Sequence, residues 1–243
     1  MLAAYAAVAT VLLVAVAAAR PERRGRLAGP ALRLTEIDVE RINVRKPDGR
    51  LSLVVTNEDR MPGGIHGDRE FAPHRPGTSG LVFYNGDGDE AGGLTWGSTR
   101  TETARTQFGH LSFDGVDQDQ TLVLSYSEAW EDGERTERGG ALRFVDRDVP
   151  GGIVRTAEEA ERRRTGTARE QAEARRWIEE NLRYGDTWSN RVVVGSIDGR
   201  AYLGLNDPRA RERVRATVDA EGVARVEVLD GRGGVVRSVV VEP

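Results

Sequence analysis

The chain has 243 residues, 38% hydrophobic and 30% charged, with a net charge of −4; this is enough for one sizeable folded unit or two small ones, and too polar for a wholly membrane-embedded protein. Its 35 basic residues are interspersed with 39 acidic ones, which gives no electrostatic footprint for a nucleic-acid partner. With no cysteine, disulfides, thiolate metal sites, iron–sulfur clusters and cysteine nucleophiles are excluded, while 29 glycines and many Val, Thr and Asp-Gly pairs favour a turn-rich, mainly β protein.

Residues Leu2 to Ala19, "LAAYAAVATVLLVAVAAA", are uncharged and almost entirely apolar. As a helix they would span about 27 Å, close to the hydrocarbon core of a bilayer. They read as a transmembrane anchor over residues 1–20, through which the chain meets the membrane. The small residues before Arg20 suit a cleaved signal peptide instead, but the basic n-region of such a signal is missing. Arg20, Arg23, Arg24 and Arg26 argue that the following side is cytoplasmic. A β-rich region behind an apolar N-terminal segment argues for export, and an extracytoplasmic soluble part is the reading adopted. Residues 21–33, rich in Pro, Gly and Arg, read as a linker.

A β domain is expected over residues 34–150. Ile37, Val39, Ile42 and Val44, then Leu51, Leu53 and Val55, alternate with polar residues around "KPDGR", the pattern of a hairpin with a tight Asp-Gly turn. Glu58 to Ser79 has no period and three prolines, and reads as a long irregular loop. Strands resume at Leu81 to Tyr84, Gly93 to Trp96, Leu111 to Phe113, Thr121 to Tyr126 and Ala141 to Val145. The expected architecture is a meander of hairpin repeats in a sandwich, barrel-like or solenoid-like arrangement.

Residues 151–184 read as a helical connector. One helix is expected from Thr156 to Leu182, opened by a Thr156–Glu159 capping box, interrupted at Gly166, and apolar only along Ala174, Trp177, Ile178 and Leu182. A C-terminal β-repeat region follows over residues 185–243. There Asp207, Asp219 and Asp230 each end an apolar run and open a turn, and "VVVGSIDGRAYLGLND" echoes "INVRKPDGRLSLVVTN". Units this short bury no face of their own and are stable only when stacked, along one chain or against copies of it.

Two acidic loops carry the candidate chemistry. In "YNGDGDEAGG", Asn85, Asp87 and Asp89 match the first ligands of an EF-hand-like loop, but Glu90 stands where Gly is needed and Trp96 where the bidentate Glu is needed. The remaining metal reading is a calcium site on Asp87, Asp89 and Glu90, set against a solvated turn that demands these residue types anyway. The second loop, "LSFDGVDQDQ", holds Asp114, Asp117 and Asp119, whose use as an acid–base pair depends on a separation that sequence does not give. His66, His74 and His110 are scattered, and no serine-based triad can be assembled.

The segments "DVERINVRKPDGRLSLVVTN", "PGG" at Pro62, "LVFYNGDGDEAGGLTWG", "LSFDGVDQDQ" and "NRVVVGSIDGRAYLGLND" together resemble a family of uncharacterised bacterial proteins that are membrane-anchored or secreted. The resemblance implies an N-terminal apolar segment and brings no activity, cofactor or catalytic residue with it; the envelope location is read from that segment and the β-rich region behind it. The leading reading is non-enzymatic: a membrane-anchored structural or interaction module that self-associates as a homo-oligomer, without a cofactor. The alternative is a ligand- or calcium-binding domain, or a hydrolase, with its site among the loops Met61 to Pro76, residues 85–92 and residues 114–120.

Overall fold

A computed structural model describes residues 32–67, 69–71, 75 and 77–242. The anchor expected over residues 1–20 and most of the 21–33 linker lie outside the described residues. Among the described residues no helix is long and apolar enough to cross a membrane.

Among the described residues, fourteen strands and two α-helices account for the fold. The strands are β1 (Arg41–Arg45), β2 (Leu51–Thr56), β3 (Gly64–His66), β4 (Arg69–Phe71), β5 (Ser79–Tyr84), β6 (Glu90–Arg100), β7 (Ala104–Asp114), β8 (Gln120–Glu131), β9 (Glu134–Arg147), β10 (Trp188–Ile197), β11 (Arg200–Asn206), β12 (Glu212–Val218), β13 (Ala224–Leu229) and β14 (Val235–Val241). Helices α1 (Gly152–Thr165) and α2 (Ala168–Asn181) stand between β9 and β10. Twelve strands form one antiparallel sheet in the order β1-β2-β5-β6-β7-β8-β9-β10-β11-β12-β13-β14, each paired with its sequence neighbour except where β3 and β4 leave as a separate two-stranded hairpin. The protein is mainly β, as its composition implies, and the meander is open, not a closed barrel: β1 and β14 remain edges.

Asx turns punctuate the meander. The Asp207 carboxylate accepts from the Arg209 and Arg211 amides, that of Asp219 from Val223, and that of Asp230 from Arg232 and Gly234. Each side chain replaces backbone hydrogen bonds that a tight turn leaves unmade, which is why an Asp closes each C-terminal repeat.

Two expectations are corrected. The aperiodic stretch after Glu58 is not an irregular loop throughout: it holds a 3-10 turn over Glu58–Arg60 and the β3–β4 hairpin. The single connecting helix is two helices broken at Gly166, whose extended backbone stops the first. The capping box belongs to the second, formed by Thr167 and Glu170. Thr156 lies inside α1 and donates to the Gly152 carbonyl, while Glu159 is wholly buried between Arg155 (2.5 Å) and Arg162 (3.1 Å).

Cross-strand partners share a face of a sheet and successive residues alternate between faces, so the register sorts every strand residue. One face carries Val54, Val82, Gly93, Ser112, Val123 and Arg143 in one row across β2 to β9. Val54 and Val82 are 0% and 1% exposed there, with Met61 and Tyr84 completing the core cluster and Ile65 of β3 packed against it. Arg69 of β4 joins Glu158 of α1 at 2.7 Å, so the β3–β4 hairpin and α1 cover this side.

The opposite face is apolar along two rows. One runs Ile42, Val55, Leu81, Leu94, Leu111, Leu124, Leu142, Val194, Leu203, Ala216, Val226 and Val239 through all twelve strands. The other runs Val44, Leu53, Phe83, Gly92, Phe113, Leu122, Phe144, Val192, Leu205, Val214 and Val228. Phe83 and Phe113 reach across the bare Gly92 to stack at 6.1 Å. No described element covers this face: Leu124, Val194 and Val226 are 50%, 44% and 50% exposed.

Candidate functional site

On the covered face, the turns β5–β6 and β7–β8 meet the β3–β4 hairpin and the start of α1. Asn85 closes the first turn by accepting from the Asp87 and Asp89 amides at 2.9 and 3.0 Å, and Lys46 donates to the Asn85 and Gly86 carbonyls. This turn therefore takes its shape from hydrogen bonds within the protein. The second turn places Asp117 in the left-handed region at φ 56°, and its carbonyl accepts the Ile153 amide at the start of α1. Gln118 holds both backbone groups of Val149, donating at 3.2 Å and accepting at 3.1 Å.

His66, at the end of β3, joins the two acidic loops. Its Nδ1 lies 3.8 Å from Asp89 Oδ2 and its Nε2 lies 3.3 Å from Asp117 Oδ1, while Asp89 Oδ1 accepts the Gly67 amide at 2.7 Å. Glu90 pairs with Arg75 at 2.7 Å, and Asp119 lies 3.6 Å from Arg147. His66, Arg75, Glu90 and Asp119 line a cleft of about 210 Å³, together with Asp114 and with Ile65, Phe71, Ile153 and Ala157 as apolar walls.

Asp114 differs chemically from the other acids. Strand alternation puts it on the same side as the buried Ser112, and its Oδ1 is shut off from solvent with no hydrogen-bond partner. Its carboxyl is pushed up to about 7, first by burial and then by the nearby charges of Asp119 and Glu90, against the opposing pull of Arg75 and Arg147. A carboxylic acid that stays neutral up to about pH 7 beside other carboxylates is the arrangement that general acid–base chemistry uses. Burial and the Glu90 charge likewise push the Tyr84 hydroxyl, which has no partner, up to about 12. His110 is held below the usual histidine range, chiefly by burial, against the opposing charge of Asp119.

The three residues read as calcium ligands are divided. Asp87 is exposed at the turn, Asp89 faces His66 and Gly67, and Glu90 faces Arg75. Among the described residues, no three His, Asp or Glu side chains are grouped closely enough to hold a metal. The described parts of the loops do converge within one chain: Gly64 to His66, Phe71 and Arg75, then Glu90, then Asp114, Gln118 and Asp119 line one cleft, and His66 ties it to Asp89 and Asp117. Sequence reasoning passed over His66 as a bridge, Arg75 as a counter-charge and α1 as a wall. Only Asp114 left a usable signal, its place in the alternation Ser112, Phe113, Asp114. His74 lies outside the described residues.

A scan against protein-family models finds no match, and a search of curated proteins finds no similar one.

Proposed function

We propose that the chain is a non-enzymatic interaction module that works through the uncovered apolar face of its sheet, held at a membrane by residues 2–19, with its folded part extracytoplasmic. The observation that carries this reading is the band of half-exposed Leu, Val and Phe side chains across the sheet. Monomers seldom expose apolar patches beyond about 300–600 Å². Two rows across twelve strands exceed that: at strand spacings of about 4.8 Å and row spacings of about 6.8 Å they cover roughly 800 Å². A face that large is stable in water only when something lies on it.

The absence of cysteine makes the test clean. In the full chain, in membranes, a thiol at Leu124→Cys or Val194→Cys is expected to react with a water-soluble maleimide at least about ten-fold more slowly than one at Glu102→Cys in the exposed β6–β7 turn. Equal rates at all three positions would sink the reading.

A second reading rests on a separate observation, the convergence of the acidic loops around Asp114. It makes the cleft a site for a small ligand or for hydrolysis, with Asp114 as the proton donor and Glu90 and Asp119 as the flanking carboxylates. Its signature is a binding or hydrolytic activity that fades as the pH rises through about 7, and is lost in Asp114→Asn while the fold persists.

A further inference from the structure

We infer that the occupant of the apolar face is a second copy of the same chain, laid face to face to make a two-layer β-sandwich that neither copy builds alone. The inference rests on the interaction reading and names its partner.

The sheet already has the polarity of half a sandwich. In β12 and β13 the face opposite the apolar rows carries charged residues that pair with one another: Arg215 joins Glu227 at 2.5 Å, and Arg225 joins Asp219 of the intervening turn at 2.6 Å. Antiparallel sheets with one salt-bridged face turned to water bury the other, and a sheet buries a face against another layer. The only other layers the described chain provides, the β3–β4 hairpin and the helices, lie on the wrong side to do so.

Charge, outline and area favour a second copy. From β1 to β13 both apolar rows are free of charged residues, and only Arg237 in β14 interrupts them. Such a band meets its own image without like charges opposing one another. Along one margin, after Trp96 and Tyr126, the next residues on this face are Ser98, Gln107, Glu128 and Arg138, a polar rim with both signs of charge. An apolar centre inside a polar rim is the anatomy of a protein interface; a surface made for acyl chains has no use for the rim. Two bands of roughly 800 Å² each would bury about 1,600 Å² in total, the size of a standard stable interface. Sheets packed this way lie about 10 Å apart with their strands crossing at about 30°.

Twofold symmetry makes the prediction local, because a residue meets its own copy only near the axis. With the axis running along the strand direction, overlap of the two sheets is greatest when it passes near β8 and β9, the sixth and seventh strands in the sheet order. Single cysteines are placed in the full chain along one row, at Leu94, Leu124, Leu142, Val194 and Val226, with Glu227→Cys as a control on the polar face, and exposed to a short bismaleimide. Leu124→Cys and Leu142→Cys are expected to give covalent dimers, with the yield falling toward Leu94 and Val226 and none at Glu227. The double variant Leu124→Glu/Val194→Glu should lose about half of its mass in light scattering while keeping its β circular dichroism, or, if the monomer cannot fold alone, lose the dimer and the fold together.

Other results overturn the inference in distinguishable ways. Row thiols that are slow to label but never cross-link would mean another occupant, a different protein, lipid or the N-terminal segment, and the interaction reading would stand. Cross-links confined to cysteines in β14 would mean that sheet edges meet and the faces do not. Rapid labelling along the whole row without dimers would remove both the inference and the reading beneath it.

Discussion

Asp114→Asn is expected to stabilise the protein by about 2 kcal/mol at pH 8 and to change nothing at pH 4. The physical basis is linkage: the Asp114 carboxyl has a reference value of 3.8 and is raised to about 7 in the folded chain. It therefore binds its proton more tightly folded than unfolded. Its contribution is fully favourable below about pH 4, declines as the pH rises from 4 to 7, and is constant above that. Three units would amount to about 4 kcal/mol at face value, and partial solvation of the group reduces this to roughly 2 kcal/mol. Asparagine keeps the shape and carries no charge to desolvate. Urea unfolding of parent and variant at pH 4, 6 and 8 reads the difference directly. A difference independent of pH would mean that Asp114 ionises normally, and would remove the basis for acid–base chemistry in the cleft.

The same residue shows what the sequence discloses and what it withholds. The alternation of Ile42 and Val44, and of Leu51 and Leu53, with polar residues marks strands, because a period of two needs no tertiary information. The Asp-Gly turns mark where strands reverse, and the spacing of Asp207, Asp219 and Asp230 gives the repeat. What alternation does not tell is which of two partly apolar faces is covered. Val54 and Val82 are buried because Met61 and Ile65 of β3 pack against them, and both of those residues sit in a stretch with no period at all. The cleft was hidden for the same reason. His66 reaches Asp89 across 23 residues and Asp117 across 51, contacts that exist only once the meander has placed the turns side by side. Glu159 shows the converse error: its spacing from Thr156 imitates a helix start, whereas burial between two arginines is its actual role.

Gly92→Ala is expected to cost about 3 kcal/mol or more, against a change within about 0.5 kcal/mol for Gly109→Ala in the same sheet. Gly92 holds φ at +120°, a region that side chains rarely adopt, and an added Cβ would overlap the Ser112 carbonyl of the neighbouring strand. Gly109 has neither constraint, since nothing lies within 4 Å of its would-be Cβ. The position matters because it serves both faces. On the uncovered side, a bare Gly92 lets Phe83 and Phe113 stack over it in the middle of the apolar row. On the covered side, the register shifts between Phe83 and Tyr84 and between Phe113 and Asp114, irregularities of the kind that re-aim side chains beside it. These set the positions of Glu90 and Asp114. A side chain at 92 would push β6 away from β7, separating the rings and opening the buried carboxyl to water together. Thermal melting should therefore fall by roughly 6–12 °C for Gly92→Ala, and the pH dependence of stability caused by Asp114 should shrink with it. A variant that melts early but keeps the full pH dependence would show that the two faces are mechanically independent at this glycine.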